Sequence, residues 1–131
     1  ENTARTAQDA ANSLKCKVGA IVKSLLFKAD GIFLICLIAG DRRCSLNKLK
    51  KILQKKDVSM ADANEVKSIT GFSIGGVSPV GHINNLNILI DKSLSRFSYV
   101  FAAAGHPNCV FKINYDQLLR ITEGTEKEIS E

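Results

Sequence analysis

Two apolar segments joined by a two-residue turn constrain this chain more than any other feature. The segments are residues 21–28 and 32–39, and Asp30-Gly31 between them is a dipeptide typical of tight hairpin turns. The second segment is apolar at nearly every position, which is typical of a strand that is buried on both faces. The sequence therefore predicts a β-hairpin whose second strand lies in the middle of a sheet.

Helices are predicted on both sides of this hairpin. Thr6 is a good N-cap, and small or apolar residues follow it at helical spacing as far as Val18, before Gly19 ends the pattern. Ser45 and Asp62 are candidate caps of two further helices. The remaining patterned segments are strands at residues 58–60, 88–91, 98–104 and 109–113, a turn at 105–108 and a helix at 115–121. This mixture predicts an α+β fold around one mixed sheet.

The length of 131 residues predicts a single domain, and 45% apolar with 24% charged residues is the composition of a globular protein with its own core. The longest apolar run, residues 31–40, is too short to span a membrane. Because the chain begins at Glu1 and its one methionine is Met60, we expect that the native N-terminal segment is missing or processed. The acidic tail, residues 123–131, is expected to fray.

The net charge of +5 permits a polyanionic partner but does not require one. The basic residues of segment 42–56 fit either a solvated helix face or a surface that contacts nucleic-acid phosphates. The four cysteines are scattered without a CxxC motif, which favours a reduced cytosolic protein with no disulfide and no bound metal. The candidate phosphate-contacting residues in segment 42–56 are Arg42, Arg43, Lys48 and Lys51.

The glycine-rich segment of residues 70–82 interrupts every periodic pattern. Gly75-Gly76 allows backbone conformations in which successive N–H groups point inward and hold an anion or a carbonyl oxygen. The segment is neither a Walker A loop nor a dinucleotide fingerprint, since the required spacings are absent. Its composition is equally compatible with an ordinary long turn.

Three further residues could carry chemistry. Lys23 lies inside an apolar segment, so it is either an outward-facing strand residue or a cation that lines a cleft. His82 and His106 each follow a glycine in a loop, and each is either a surface residue or a general acid or base. No GxSxG motif is present, so the sequence does not indicate a serine nucleophile in a strand-to-helix elbow.

Five segments occur in a fixed order along the chain: Thr6-Ala7 with Ala10-Ala11, IVKSL at residues 21–25, AGDRR at 39–43, TGFSIGGVSPVGH at 70–82 and AAAGHPN at 102–108. Their order and intervals resemble those of the YbaK/ProX family of aminoacyl-tRNA deacylases. This family is related to the editing insertion domain of bacterial prolyl-tRNA synthetase. The resemblance covers residues 6–121 and implies one compact α/β domain with a mixed, curved β-sheet surrounded by helices.

The resemblance implies a cytoplasmic, trans-editing hydrolase that uses no cofactor. Its substrate would be the ester between a mischarged small amino acid and the 3′-terminal adenosine of a tRNA. Lys23 would hold the terminal phosphate or the ester carbonyl, and backbone N–H groups near Gly105 or at Gly75-Gly76 would stabilise the oxyanion. His106 would orient the water or contact the amino group. The residues implied to bind substrate are Ser24, Gly75, Gly76, Pro79 and His82.

Two alternatives remain open at this point. The chain could be an inactive tRNA-binding, nucleotide-binding or regulatory module of the same fold, or the excised editing domain of a synthetase. Members of the family usually have a further segment before the first helix, whereas five residues precede Thr6 here. The expected partners are the acceptor end of an aminoacyl-tRNA and, in some cases, an aminoacyl-tRNA synthetase. The sequence does not distinguish a monomer from a homodimer.

Overall fold

The predicted hairpin is present at the centre of the fold. The structure is a computed structural model that describes residues 7–106 and 109–131. Strands β1 (Val22–Ala29) and β2 (Ile32–Ala39) pair antiparallel in unbroken register along their whole length. Asp30 and Gly31 both have positive φ, 49° and 85°, as the central residues of a mirror-image turn must have.

Strand β2 occupies the middle of a five-stranded mixed sheet with the order β3-β1-β2-β4-β7. β3 (Val58–Met60) lies antiparallel to β1, while β4 (Asn87–Asp91) runs parallel to β2 and β7 (Thr125–Lys127) runs parallel to β4. Side chains of β2 are buried on both faces of the sheet from Leu34 to Ala39. The continuous apolar pattern of this segment is therefore explained by its central position, as predicted.

The two remaining described strands form a separate hairpin. β5 (Val100–His106) pairs antiparallel with β6 (Cys109–Ile113), and one isolated bridge from Ile21 to Phe101 links the pair to the chain just before β1. The predicted α+β fold around a mixed sheet is confirmed, and β5 and β6 add a separate two-stranded sheet that the sequence did not predict. Gly105 and His106, which were predicted to lie in a turn at residues 105–108, belong to β5 instead. A bulge between Ala103 and His106 lets β5 continue, and Pro107 and Asn108 lie outside the described residues.

The four helices described by the structure begin close to where their caps predict. The Ser45 hydroxyl accepts from the Lys48 N–H, and Asp62 forms a reciprocal capping box with Glu65. No helix within residues 7–106 and 109–131 is both long and apolar enough to cross a membrane. The helices are α1 (Ala7–Leu14), α2 (Leu46–Leu53), α3 (Ala63–Thr70) and α4 (Tyr115–Thr122).

The first helix is shorter than the sequence pattern suggested. Its predicted cap, Thr6, lies outside the described residues. α1 ends at Leu14 because Lys15 adopts a left-handed conformation with φ 55°, and Val18 instead begins a 3-10 turn, Val18–Ala20. The apolar face was correctly identified within the helix, where Ala11 is buried.

The C-terminal segment is packed against the protein, so the expectation that it frays was wrong. β7 adds to the edge of the sheet, and the Ile129 side chain is fully buried in the cluster that contains Leu49. The Asp91 carboxylate, 1% exposed, accepts hydrogen bonds from the N–H groups of Ile129 at 2.8 Å and Ser130 at 3.1 Å. One apolar residue and one buried acceptor thus hold a segment whose composition is otherwise polar.

Candidate functional site

A cleft of about 740 Å³ lies between the start of β1, helix α1, the glycine-rich loop and the β5–β6 hairpin. Its size is within the range of small-ligand sites. Three residues singled out from the sequence, Lys23, Ser24 and Gly75, line this one cleft although about 50 positions separate the first two from the third. Further lining side chains come from Asp41, Ile74, Val77, Phe101, Ala103 and Val110.

Lys23 is half-buried at the edge of the cleft. Its Nζ donates a hydrogen bond to the Arg42 backbone carbonyl at 2.5 Å. Burial lowers the pKa of Lys23, and the nearby Asp41 carboxylate partly offsets that effect. A neutral carbonyl is a weaker partner for an ammonium than a carboxylate or phosphate is, so the hydrogen bond can be exchanged for one to a charged ligand.

The segment that holds Lys23 is itself fixed from two sides. Asp41 accepts two hydrogen bonds from the Arg96 guanidinium, at 2.7 and 3.1 Å, and these hydrogen bonds lower the pKa of the Asp41 carboxyl. The Ser45 N–H donates to the Ile129 carbonyl at 2.7 Å. The Arg42 carbonyl lies between these two anchors, and therefore its position relative to Lys23 is determined by the fold.

The Ser24 hydroxyl is in an environment that is unusual for a polar group in a folded protein. The hydroxyl is buried and has no hydrogen-bond partner in the part of the chain that the structure describes. Leaving such a group unpaired costs on the order of 1–3 kcal/mol. Buried polar groups are nearly always paired, and an exception beside a cleft is a feature of functional sites. Ser24 is thus a candidate contact for a bound molecule.

The glycine-rich loop presents only part of its predicted residues to the cleft. Gly75 is exposed with φ 86° and lines the cleft. Gly76 is buried, and its N–H donates to the Ser73 carbonyl at 2.9 Å, so this amide is engaged within the loop. The N–H groups of Gly75 and Gly76 were the predicted oxyanion donors in this loop. The Gly76 N–H is already hydrogen-bonded within the turn.

Pro79 and His82 lie on the other side of the loop. Both line a separate cavity of about 340 Å³. The His82 Nε2 lies 2.7 Å from the Ser78 carbonyl, to which it must donate, and the imidazole meets the Phe72 ring edge-on with centroids 6.0 Å apart. These contacts fasten the loop to itself. The structure does not bring His82 together with Lys23, and its expected role in substrate binding stays a prediction.

Gly105 and His106 end strand β5 beyond the cleft-lining residue Ala103. Gly105 has φ 94°, and a Cβ added there would lie 3.1 Å from the Phe72 ring, so glycine is required by both conformation and space. The backbone of His106 pairs with Cys109, but its side chain lies outside the described part of the protein. The catalytic roles expected for Gly105 and His106 stay predictions.

The four predicted tRNA-contacting residues line no common cavity, and their contact with tRNA stays a prediction. Lys48 donates from Nζ to the Ser130 carbonyl at 2.7 Å, and Lys51 is exposed on α2. Arg42 and Lys48 line one cavity together with Arg96, whereas Arg43 lines a groove that Lys23 also lines. Arg43 is therefore the one of the four that shares a cavity with the candidate site.

Sequence reasoning missed several apolar residues at the rim of the cleft. Ile74 is 58% exposed and Val110 is 39% exposed, although both are large and apolar. Exposed apolar side chains around a cavity are typical of a site that covers a ligand. Phe101 reaches the cleft through its bridge to Ile21. The sequence carries no signal for these contacts because they depend on how the second hairpin packs.

Comparison with known proteins identifies relatives of this structure. The sequence model of the aminoacyl-tRNA editing domain family matches residues 1–121. A crystal structure described as a candidate trans-editing enzyme for prolyl tRNA synthetase superposes with a TM-score of 0.93 at 34% identity, covering 100% of this chain and 83% of that one. The crystal structure of hypothetical protein APE2540 superposes with a TM-score of 0.90 at 31% identity, covering 97% and 85%.

The sequence relatives include an uncharacterized protein and proline--tRNA ligases. Protein YwhH of Bacillus subtilis (strain 168), described as uncharacterized, is 33% identical over 119 residues, which are 90% of this chain and 75% of that protein. The proline--tRNA ligase of Thermosipho africanus (strain TCF52B) is 30% identical over 123 residues, 93% of this chain. The matched part is 22% of the ligase, so this chain resembles one portion of a much longer enzyme.

Proposed function

The chain belongs to the aminoacyl-tRNA editing domain family, and we propose that it hydrolyses the ester of a mischarged small amino acid on tRNA. The observation that carries the proposal is the position of Lys23. This half-buried cation lines a cleft of ligand size, and its ammonium donates to the Arg42 carbonyl, a partner that a charged ligand can replace. The similarity to a candidate trans-editing enzyme for prolyl tRNA synthetase and to proline--tRNA ligase supports a tRNA for proline as the carrier. The site of action would be the cytoplasm, where translation takes place.

The reaction needs little covalent machinery. Water adds to the ester carbonyl carbon, the carbonyl oxygen becomes an oxyanion, and the bond from that carbon to the ribose oxygen then breaks. The ribose oxygen takes up a proton, and a free amino acid leaves. Preorganised donors that face the developing negative charge supply most of the rate enhancement in such reactions.

Lys23 is the donor best placed for that role. When substrate enters, the Lys23 ammonium would leave the Arg42 carbonyl and donate to the ester carbonyl oxygen or the terminal phosphate. Both of these groups carry more negative charge in the transition state than a peptide carbonyl does. The Ser24 hydroxyl, which is unpaired among the described residues, would gain a partner from the bound aminoacyl group. The new hydrogen bonds of Lys23 and Ser24 would both stabilise the protein with bound substrate relative to the protein without it.

The walls of the cleft favour a small amino acid. Val77 and Phe101 narrow it with branched or aromatic side chains, and Ile74 stands at the rim. We expect a larger side chain to be disfavoured where it meets Val77, which is packed in the protein and only 4% exposed. Excluding a substrate by size is effective because a well-packed wall moves only at a cost of roughly 1–3 kcal/mol.

Release of amino acid from mischarged tRNAs tests the proposal. The substrates are alanine, cysteine, serine and threonine esters on tRNA for proline and on non-cognate tRNAs. The wild type should hydrolyse at least one ester well above the spontaneous rate, and Lys23→Ala should lower kcat/KM for that ester by about 100-fold or more, the usual loss for one oxyanion donor.

Lys28→Ala is the matched control. Lys28 lies on the same strand and pairs with Glu65 at 2.7 Å, and it does not line the cleft. This variant should retain wild-type activity. If a folded Lys23→Ala protein remains fully active, the assigned role of Lys23 is wrong. If the folded wild type releases no amino acid from any ester, the chain is a binding module and the hydrolase proposal fails.

A further inference from the structure

A second groove of about 690 Å³ adjoins the cleft at Lys23. Lys23 and Leu25 line both cavities, so the two meet along the first residues of β1. From there the second groove extends beside the start of α2, past Leu46, towards Met60 at the end of β3. Lys23 therefore stands at the boundary of the two cavities, and a ligand held by its ammonium in the cleft lies next to this groove.

The second groove combines positive charge with exposed apolar surface. Three cations line it, Lys23, Arg43 and Lys50, against one carboxylate side chain, that of Glu131. Within the described residues neither Arg43 nor Lys50 forms an ion pair. Cations in this arrangement attract the phosphates of a nucleic-acid backbone.

Two large apolar side chains lie among these cations. Leu46 is 40% exposed and Met60 is 54% exposed, and both line the second groove. Unpaired bases present apolar faces that pack against such side chains, whereas the bases of a duplex are stacked on one another and present only their edges. The combination of cations with exposed apolar groups thus fits a single strand better than a double helix.

We propose that the second groove binds the unpaired nucleotides at the 3′ end of the acceptor strand. This inference rests on the proposed function, because the ester joins the amino acid to the terminal ribose and the strand must leave the cleft beside Lys23. Arg43 and Lys50 contact phosphates, and Leu46 and Met60 contact bases. Lys48 has no part in this interaction, since its ammonium donates to the Ser130 carbonyl.

Binding of uncharged RNA tests the inference without requiring hydrolysis. The probes are an acceptor-stem minihelix with its unpaired 3′ end and the same minihelix trimmed to a blunt duplex. The wild type should bind the first more tightly. The double variant Arg43→Gln/Lys50→Gln should weaken that binding about tenfold or more. It should also lower the salt dependence, the slope of log K against log salt, by roughly 1.4, because each single-strand phosphate that a cation neutralises adds about 0.7 to that slope.

A charge-matched control distinguishes binding by the groove residues from a general effect of the protein's net charge. Lys56→Gln/Arg120→Gln removes the same charge from two exposed side chains that do not line the groove, and should leave the preference for the unpaired end intact. Leu46→Ala/Met60→Ala should reduce the preference for the unpaired end without changing the salt slope. Both apolar side chains are exposed, so these substitutions leave the core unaltered.

The outcomes distinguish this inference from the hydrolase proposal. If Arg43→Gln/Lys50→Gln binds the minihelix as the wild type does, or if the wild type binds the trimmed duplex equally well, the second groove is not the acceptor-end site, even when the protein hydrolyses mischarged tRNA. If the binding preference depends on the groove but no ester is hydrolysed, the acceptor-end site stands and the hydrolase proposal fails.

Discussion

Asp91 ties the C-terminal segment to the sheet, and its replacement by alanine tests the most buried carboxylate among the described residues. The carboxylate accepts from the Ile129 N–H at 2.8 Å and from the Ser130 N–H at 3.1 Å. It also accepts from the N–H and the hydroxyl of Ser93. Since Asp91 is only 1% exposed, water cannot easily replace it as a partner for these donors.

The expected decrease in stability follows from the donors that alanine leaves unpaired. The N–H groups of Ile129 and Ser130 are both buried where they meet the carboxylate, and each unpaired buried donor costs about 1–3 kcal/mol. Asp91→Ala should therefore lower the free energy of unfolding by about 4 kcal/mol. With a slope of about 2 kcal/mol per molar urea, the unfolding midpoint would fall by about 2 M.

The contribution of Asp91 also depends on pH. Burial by itself would raise the pKa of this carboxyl, but the hydrogen bonds from Ser93, Ile129 and Ser130 together outweigh that effect and lower it. Because the pKa is lower in the folded than in the unfolded state, the stabilisation is complete above the unfolded value of about 3.9 and is lost as the pH falls through the folded value. The stability difference between wild type and Asp91→Ala should thus shrink below about pH 4.

Urea denaturation of the wild type and two variants provides the measurement. Glu128→Ala is the control, because it removes an exposed carboxylate from the same C-terminal segment and should leave the midpoint nearly unchanged. Asp91→Asn keeps one acceptor oxygen and should lie between Asp91→Ala and the wild type. A midpoint for Asp91→Ala equal to that of Glu128→Ala would refute the assignment of Asp91 as a major source of stability.

Two further substitutions test single features of the site. Ser24→Ala removes a buried hydroxyl that has no described partner. The melting temperature should therefore rise, by an amount equivalent to about 1–3 kcal/mol, while kcat/KM for a mischarged tRNA falls. A clear decrease in stability would reveal that the hydroxyl is already paired. Gly105→Ala should destabilise by about 1–3 kcal/mol in thermal denaturation, from the φ of 94° and the approach to Phe72 at 3.1 Å. Gly31→Ala has similar strain, φ 85°, with nothing within 4 Å of the added Cβ, so an equal destabilisation in both variants would show that the Phe72 ring contributes nothing.

The elements with strong local signals were predictable from the sequence. The Asp30-Gly31 turn and the caps Ser45 and Asp62 act over a few residues, and the structure confirms all three. The family resemblance is confirmed by the match over residues 1–121. That Lys23 and Gly75 meet in one cleft follows from the resemblance rather than from spacing, since sequence separation alone says nothing about such an encounter.

The features that the sequence did not reveal depend on distant partners. The C-terminal segment has a polar composition, and two distant interactions hold it in place. The Ile129 side chain packs beside Leu49, and the Asp91 carboxylate, 38 positions before Ile129, accepts from the Ile129 N–H. The predicted role of His82 in substrate binding stays a prediction, but the position of its side chain could not be read from the sequence. Its hydrogen bond to the Ser78 carbonyl is local, but the side of the loop that it occupies is decided by tertiary packing.

The C-terminal segment also bears on the chemistry of the cleft, through a chain of interactions that ends at Lys23. Asp91 holds the Ile129 backbone, and the Ile129 carbonyl accepts from the Ser45 N–H. Ser45 lies three residues from Arg42, whose carbonyl holds the Lys23 ammonium. Because the position of that carbonyl decides where the ammonium rests before substrate arrives, loosening the segment would lower the activity of molecules that remain folded. The decrease in activity caused by Asp91→Ala should vanish when Lys23 is already alanine, since there is then no ammonium to position.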